Sequence, residues 1–356
     1  MQYTFKDHFK TIAPVLSTAL LGPVHIQAVE DLCSLFPFDA AAVFGFETRL
    51  GNPEATCDFF LQIRKDREGP GILAGESEFA RLSPVLLNNP FWHKISRLFA
   101  EWFDVSSLLN ERLELFWLEF DCLESSFNPI PNIFFKITRI NEPRNAQWES
   151  MLEVLNEIYR ILFGIKFPAG LGESLKRCIE ALPPFANIYQ VGFMIPRKTE
   201  AVRLILTGFR EHSIFEYLKD IRWPGEIDYI HKMVDRYAVK FDHTAFNLHI
   251  GETVLPLFGT EMYLRDMSQP LWDPRWNEIF DFLGAENLIL PAKRKGLGSY
   301  SSKKTVSHLF PVNYISGINH LKMVYKPGLS LECKGYFGTM INPQKEVAFK
   351  QTESET

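Results

Sequence analysis

Apolar and polar positions alternate every second residue in ten short stretches, and between them the apolar positions fall at helical spacing. The alternating stretches come in pairs separated by turn residues: 40–48 with 55–64, 113–122 with 131–140, 187–195 with 201–209, 244–251 with 259–265, and 318–326 with 330–338. Each pair predicts a β-hairpin. The helical pattern covers 4–20 and 23–36, then 82–112 with a break at Asn89-Pro90. It returns at 147–164 and 172–182, at 213–221 and 225–238 on either side of Trp223-Pro224, and at 274–284 after Asp273-Pro274. Residues 292–316, rich in Lys, Gly and Ser, read as a loop, and 341–356 as a tail. The order helix, strand, strand, helix recurs five times without any repeat of residues.

Ten strands in successive antiparallel hairpins can build two α+β domains or one closed barrel. Closure removes the exposed sheet edges, and no linker divides the chain. The expectation is therefore an α+β fold: a ten-stranded antiparallel β-barrel of five αββα repeats, helices outside, in a single domain over 1–340.

Helices outside require apolar outward faces, so alternation assigns the other face of each strand to the lumen. That face holds Asp58, Phe60, Gln62 and Arg64 on the second strand, then Trp117, Glu119 and Asp121, then Phe134 and Lys136. It continues with Arg203, with Asn247 and His249, and with Glu261, Tyr263 and Arg265. His320 and Lys322 follow, and Glu332, Lys334 and Tyr336 close the series. An open sheet with one wet face would alternate too. The aromatics Trp117, Phe134, Tyr263 and Tyr336 among the charges favour an enclosed chamber.

Composition narrows the function classes. Of 356 residues, 46% are hydrophobic, which excludes disorder for the bulk of the chain. Lys and Arg number 38 against 43 Asp and Glu, a net charge of -5, which argues against a broad nucleic-acid surface. The 31 Phe demand burial, or a lumen to line. No stretch reads as a membrane span or signal peptide, and five dispersed cysteines read as reduced thiols. A soluble, cytoplasmic protein is expected, with no nucleic-acid or membrane partner.

The proposed chamber gathers Arg64, Lys136, Arg203, Arg265, Lys322 and Lys334 beside Tyr263 and Tyr336. Converging cations and phenols suit a diphosphate, whose charge they neutralise as it leaves carbon. The five-fold αββα order, with Lys334-Gly335-Tyr336-Phe337 on the last strand and His320-Leu321-Lys322 before it, resembles the aromatic prenyltransferase barrel, or ABBA, family. The resemblance spans about residues 4–340. It implies transfer of an isoprenyl group from an allylic diphosphate to an electron-rich acceptor: an indole, a phenol or a peptide side chain. It further implies that Tyr263 and Tyr336 shield the allylic cation and that Glu119 or Glu261 takes the proton; the six cations would hold the diphosphate, and Trp117 on the lumen face would stack on a substrate ring or the allylic cation. No tightly bound cofactor is expected; Mg2+ is compatible, although no dedicated motif serves it. The alternative is a non-catalytic ligand- or peptide-binding barrel of a natural-product pathway, whose lumen acids would hold a guanidinium or amine. Unpaired lumen cations would favour the diphosphate, and full pairing the binding barrel.

Other motifs carry less. There is no DDxxD, GxxxxGK[ST], HExxH or GxSxG. Gly296-Leu297-Gly298-Ser299 beside Lys293, Arg294 and Lys295 reads as a solvated basic loop rather than a phosphate loop. His243 and His249 lie on one strand but lack a third ligand, so no metal site is expected.

Overall fold

In a computed structural model, residues 3–78, 80–123, 126–138, 144–210, 212–265, 272–307 and 311–343 are described. Eleven strands form one antiparallel sheet: β1 (Val43–Arg49), β2 (Cys57–Arg64), β3 (Leu113–Phe120), β4 (Asn132–Ile137), β5 (Asn187–Phe193), β6 (Val202–Thr207), β7 (His243–Ile250), β8 (Val254–Tyr263), β9 (Ser302–Ser307), β10 (Pro311–Tyr325) and β11 (Glu332–Pro343). The order is β8-β7-β6-β5-β4-β3-β2-β1-β11-β10-β9, and β8 also pairs with β10. That last pairing closes ten strands into a barrel and leaves β9 as a flap on the first half of β10.

Alternation sets the two faces. Phe44 and Phe46 on β1, Phe59 and Leu61 on β2, Phe116 and Leu118 on β3, and Ile133 and Phe135 on β4 are all completely buried. They point outward into a shell of helices, and the core lies in that layer. Phe5 and Phe9 of helix Phe5–Ile12 meet Phe44 and Phe46 at ring distances of 5.6 and 6.3 Å. Trp102 and Phe99 of helix Pro90–Phe103 meet Phe116 at 4.8 and 5.1 Å. Asn89 starts that helix: its Oδ1 accepts from the Phe91 N–H at 2.9 Å, with proline at the first helical position.

Two readings of the sequence are corrected. The 292–316 stretch carries regular structure: helix Pro291–Tyr300, β9 to Ser307 and β10 from Pro311, with 308–310 outside the described residues. Lys293 is buried, donating to the carbonyls of Arg49 at 2.6 Å and Glu54 at 2.8 Å, so it ties the β1–β2 turn to this helix. Gly296 permits the contact beneath, because a Cβ there would come within 2.8 Å of Ser17 Cβ. The Gly-Leu-Gly-Ser run is thus a packed helix and not a solvated loop. Arg265 is the second. Strand β8 ends at Tyr263, the chain turns with a positive φ of 58° at Arg265, and alternation stops. Its guanidinium leaves the lumen face for Asp273, at 3.0 Å. The last strand runs to Pro343, a little past the expected start of the tail, and 344–356 lie outside the described residues.

Candidate active site in the barrel lumen

The lumen encloses a cavity of about 430 Å3. Trp117, Glu119, Phe134, Arg203, Glu261, Tyr263, Lys322 and Tyr336 stand on its wall, with Arg64 and Lys136 also lining it. Those last two are partly exposed and engaged, Arg64 by Asp66 at 3.0 Å and Lys136 by Glu114 at 2.5 Å. Lys334 is not among the cavity-lining residues, although it shares the face of Tyr336 and its partner Glu47, and Arg265 is outside.

Strand register explains the grouping. Glu261 of β8 lies opposite Lys322 of β10, Lys322 opposite Lys334 of β11, and His320 opposite Tyr336. Tyr336 in turn lies opposite Glu47 of β1. Two lysines directly opposite one another repel, and each is offset by a carboxylate. Lys322 Nζ is 3.2 Å from Glu261 Oε1 and also donates to Asn247 Oδ1. Lys334 Nζ is 2.5 Å from Glu47 Oε1 and 3.6 Å from Glu332. Gly259 makes room for this crossing, since a Cβ there would lie 2.8 Å from Lys322 Cε.

The phenols join the same network. Tyr336 donates to Glu47 Oε2, and Tyr263 donates to Glu261 Oε2 at 2.7 Å. His320 lies between the two phenol rings, stacked on Tyr336 at 4.1 Å and tilted toward Tyr263 at 4.6 Å. Burial and the neighbouring Lys322 lower His320 to about 4, against the pull of Glu261, so it is neutral at physiological pH.

Burial alone would raise the Glu47 and Glu261 carboxyls. The lysines, with the hydrogen bonds from Tyr336 and Tyr263, outweigh it, holding Glu47 well below the usual range and Glu261 at about 2. Both therefore stabilise the fold above their ordinary value of about 4.5, and that contribution disappears as pH falls through their folded values. Glu47→Gln removes the nearer of the two carboxylates of Lys334 and is expected to cost up to about 3–5 kcal/mol at neutral pH. Chemical denaturation across the acid range checks this. The variant should be less stable near neutrality and flatter toward acid, and equal curves would show that the pair contributes nothing.

Glu119 behaves in the opposite sense. Among the described residues it holds no ion pair. Burial raises it to about 7, with Arg203 pulling only partly against this. Arg203, also on the cavity wall, forms no ion pair among the described residues; it is 9% exposed, with a buried Nε lacking any acceptor. Its guanidinium lies 5.4 Å over the ring of Phe134. That ring lies across Gly192, where any Cβ would come within 2.1 Å of it. Gly192 is opposite both residues in the ladder, so the glycine sets the platform on which Arg203 rests.

Sequence reasoning missed Glu47, Arg197, Tyr189 and Gln190. Glu47 was detectable, since Phe44, Phe46 and Thr48 alternate with it. Arg197 comes from the β5–β6 turn and grips Asp121 through two bonds of 2.7 and 2.5 Å. Tyr189 and Gln190 both line the cavity because the β5 register shifts between Ile188 and Gln190. His249 faces Arg203 across the β6–β7 ladder, whereas His243 is at the exposed start of β7; the two do not form a ligand pair.

No protein-family model matches the chain, and no curated protein matches it in sequence. Among solved structures, the fold is similar to the apo form of the prenyltransferase PriB, with a TM-score of 0.52 and 13% identity over 96% of this chain and 97% of PriB. The binary complex of PriB with the product diphosphate gives a TM-score of 0.53 and 12% identity over 97% and 99%. The closed ten-stranded antiparallel barrel with outer helices is the ABBA prenyltransferase barrel fold.

Proposed function

We propose that the protein is a prenyltransferase, moving an isoprenyl group from an allylic diphosphate to an electron-rich acceptor in the barrel lumen. The observation that carries this reading is Arg203, a buried cation on the cavity wall that forms no ion pair among the described residues and whose Nε has no acceptor. A guanidinium so placed is poised for a phosphate oxygen, which it can take through two parallel hydrogen bonds. Lys322, and Lys334 opposite it in the ladder, add charge on the β10–β11 side.

The steps follow from the groups in place. The allylic carbon–oxygen bond breaks and its electron pair leaves with the diphosphate, stabilised by Arg203 and Lys322. Tyr263, Tyr336 and Trp117 line the cavity where they would shield the allylic cation from water. The acceptor's π-electrons or lone pair form the new bond, and its proton passes to Glu119. Glu119 suits this because its pKa of about 7 matches the working pH, whereas Glu261, at about 2 and engaged by Lys322 and Tyr263, is a weak base and holds its neighbours in place.

A second reading rests on the pairing of the other cations. Lys322, Lys334, Lys136, Arg64 and Arg197 all have carboxylate partners, as a binding barrel for a cationic or peptide ligand would. The two readings separate on product formation. The protein is incubated with dimethylallyl, geranyl or farnesyl diphosphate and a panel of indoles, phenols and peptides, with and without Mg2+. Mass spectrometry should show an acceptor heavier by one prenyl group, together with released diphosphate. Turnover with none of the donors would leave the binding barrel as the better reading.

A further inference from the structure

Outside the barrel, two neighbouring helices bring together a second group of chemically active side chains. His212 sits at the N-terminal boundary of helix Ser213–Asp220, and His231 and Asp235 lie one turn apart on helix Ile227–Tyr237. One potential ligand atom from each of the three falls within 4.8 Å of the others. His231 Nδ1 is already 3.0 Å from Asp235 Oδ2. The His212 and His231 rings stack at 5.0 Å with 15° between planes, and both pack on buried Phe215, at 5.7 and 4.4 Å.

From this geometry we infer a binding site for a borderline divalent transition metal, of the Zn2+ class, that staples the two helices together. Two imidazoles and a carboxylate are the donor set such ions prefer over Mg2+ or Ca2+, which favour oxygen. In a tetrahedral zinc site with ligand bonds near 2.0–2.1 Å, the donor atoms lie about 3.3 Å apart. The His231–Asp235 pair is already close to that edge. His212 is exposed and can close the remaining distance by side-chain rotation. Phe215, fixed in the core beneath, gives both rings a common support. A surface ion pair needs only His231 and Asp235; the third donor, brought from a different helix, is what makes a chelate. The metal takes the place of the direct contact between His231 Nδ1 and Asp235 Oδ2, and water fills the remaining coordination position. The site is separate from the lumen and independent of the reading proposed for it.

The test is titration of the full chain, stripped with a chelator, with ZnCl2 in a calorimeter. Co2+ serves as a second probe, because its visible absorption intensifies in a four-coordinate site. The wild type should bind one Zn2+ through this cluster, and its melting temperature should rise with added metal, as linkage requires. His231→Ala should abolish the cluster's binding, His212→Ala should weaken it, and Asp235→Asn should weaken it by about tenfold or more. All three are surface changes and should melt like the wild type in chelator. Zn2+ binding and Co2+ spectra that are unchanged in both His231→Ala and His212→Ala would overturn the site. So would a wild type that gives no saturable heat at millimolar metal.

Discussion

Arg203→Met is expected to weaken binding of an allylic diphosphate by about 10- to 100-fold while leaving the fold at least as stable. The first effect is the loss of a charge-assisted hydrogen bond to phosphate, on the order of 1.5–3 kcal/mol, with about 1.4 kcal/mol per tenfold. The second follows from its surroundings. Arg203 is nearly buried, forms no ion pair among the described residues, and leaves Nε without an acceptor, so the empty protein carries the cost of its desolvation. Methionine keeps much of the volume over Phe134 and removes that cost. Removing the guanidinium also removes the charge that lowers Glu119, so its pKa should climb above about 7. Calorimetry and thermal melting on the same variant check both effects. A variant that binds the donor as well as the wild type, or that melts far lower, would make Arg203 a structural residue.

Glu119→Gln is expected to reduce turnover by about 10²–10⁴-fold, the usual contribution of a positioned base. In the wild type, log kcat/KM should rise with pH up to a plateau beginning near 7, because only the ionised carboxylate accepts the proton. The variant should lose that limb. Stability should move the other way. The folded protein holds the Glu119 proton more tightly than the unfolded chain does, since its pKa is about 7 rather than 4.5. The stability due to this group is therefore full below about 4.5 and lost as pH rises through about 7. Glutamine imitates the protonated form at every pH. The variant should match the wild type in mild acid and exceed it above neutrality, by up to about 3 kcal/mol. A variant that is less stable at every pH, with turnover intact, would remove Glu119 from the mechanism.

These two unpaired charges were within reach of the sequence, because alternation holds wherever a strand is long and regular. Glu119 and Trp117 on β3, Arg203 on β6, Glu261 and Tyr263 on β8, and Lys334 and Tyr336 on β11 share a face with period two and reach one chamber or its wall. The reading failed where that period breaks. Arg265 lies beyond the end of its strand. Tyr189 and Gln190 straddle a bulge, so two consecutive residues face the lumen. Arg197 arrives from a turn. Pairing was also beyond the sequence. Which lysine meets which carboxylate depends on register across β8, β10, β11 and β1, and that register, rather than composition, leaves Arg203 and Glu119 outside those pairs. The 292–316 stretch misled for a different reason. Its lysines and glycines look solvated, yet Lys293 is drawn in by two backbone carbonyls and Gly296 by a close helix contact.

A diphosphate site in the lumen should bind an inert donor. Dimethylallyl S-thiolodiphosphate, which ionises too slowly to react, is titrated into the wild type and Arg203→Met, each with and without Mg2+. Saturable binding is expected of the wild type, and about 10- to 100-fold weaker binding of the variant. No binding by the wild type at millimolar ligand in either condition, together with tight binding of a guanidinium or amine ligand that Glu119→Gln abolishes, would contradict a diphosphate site.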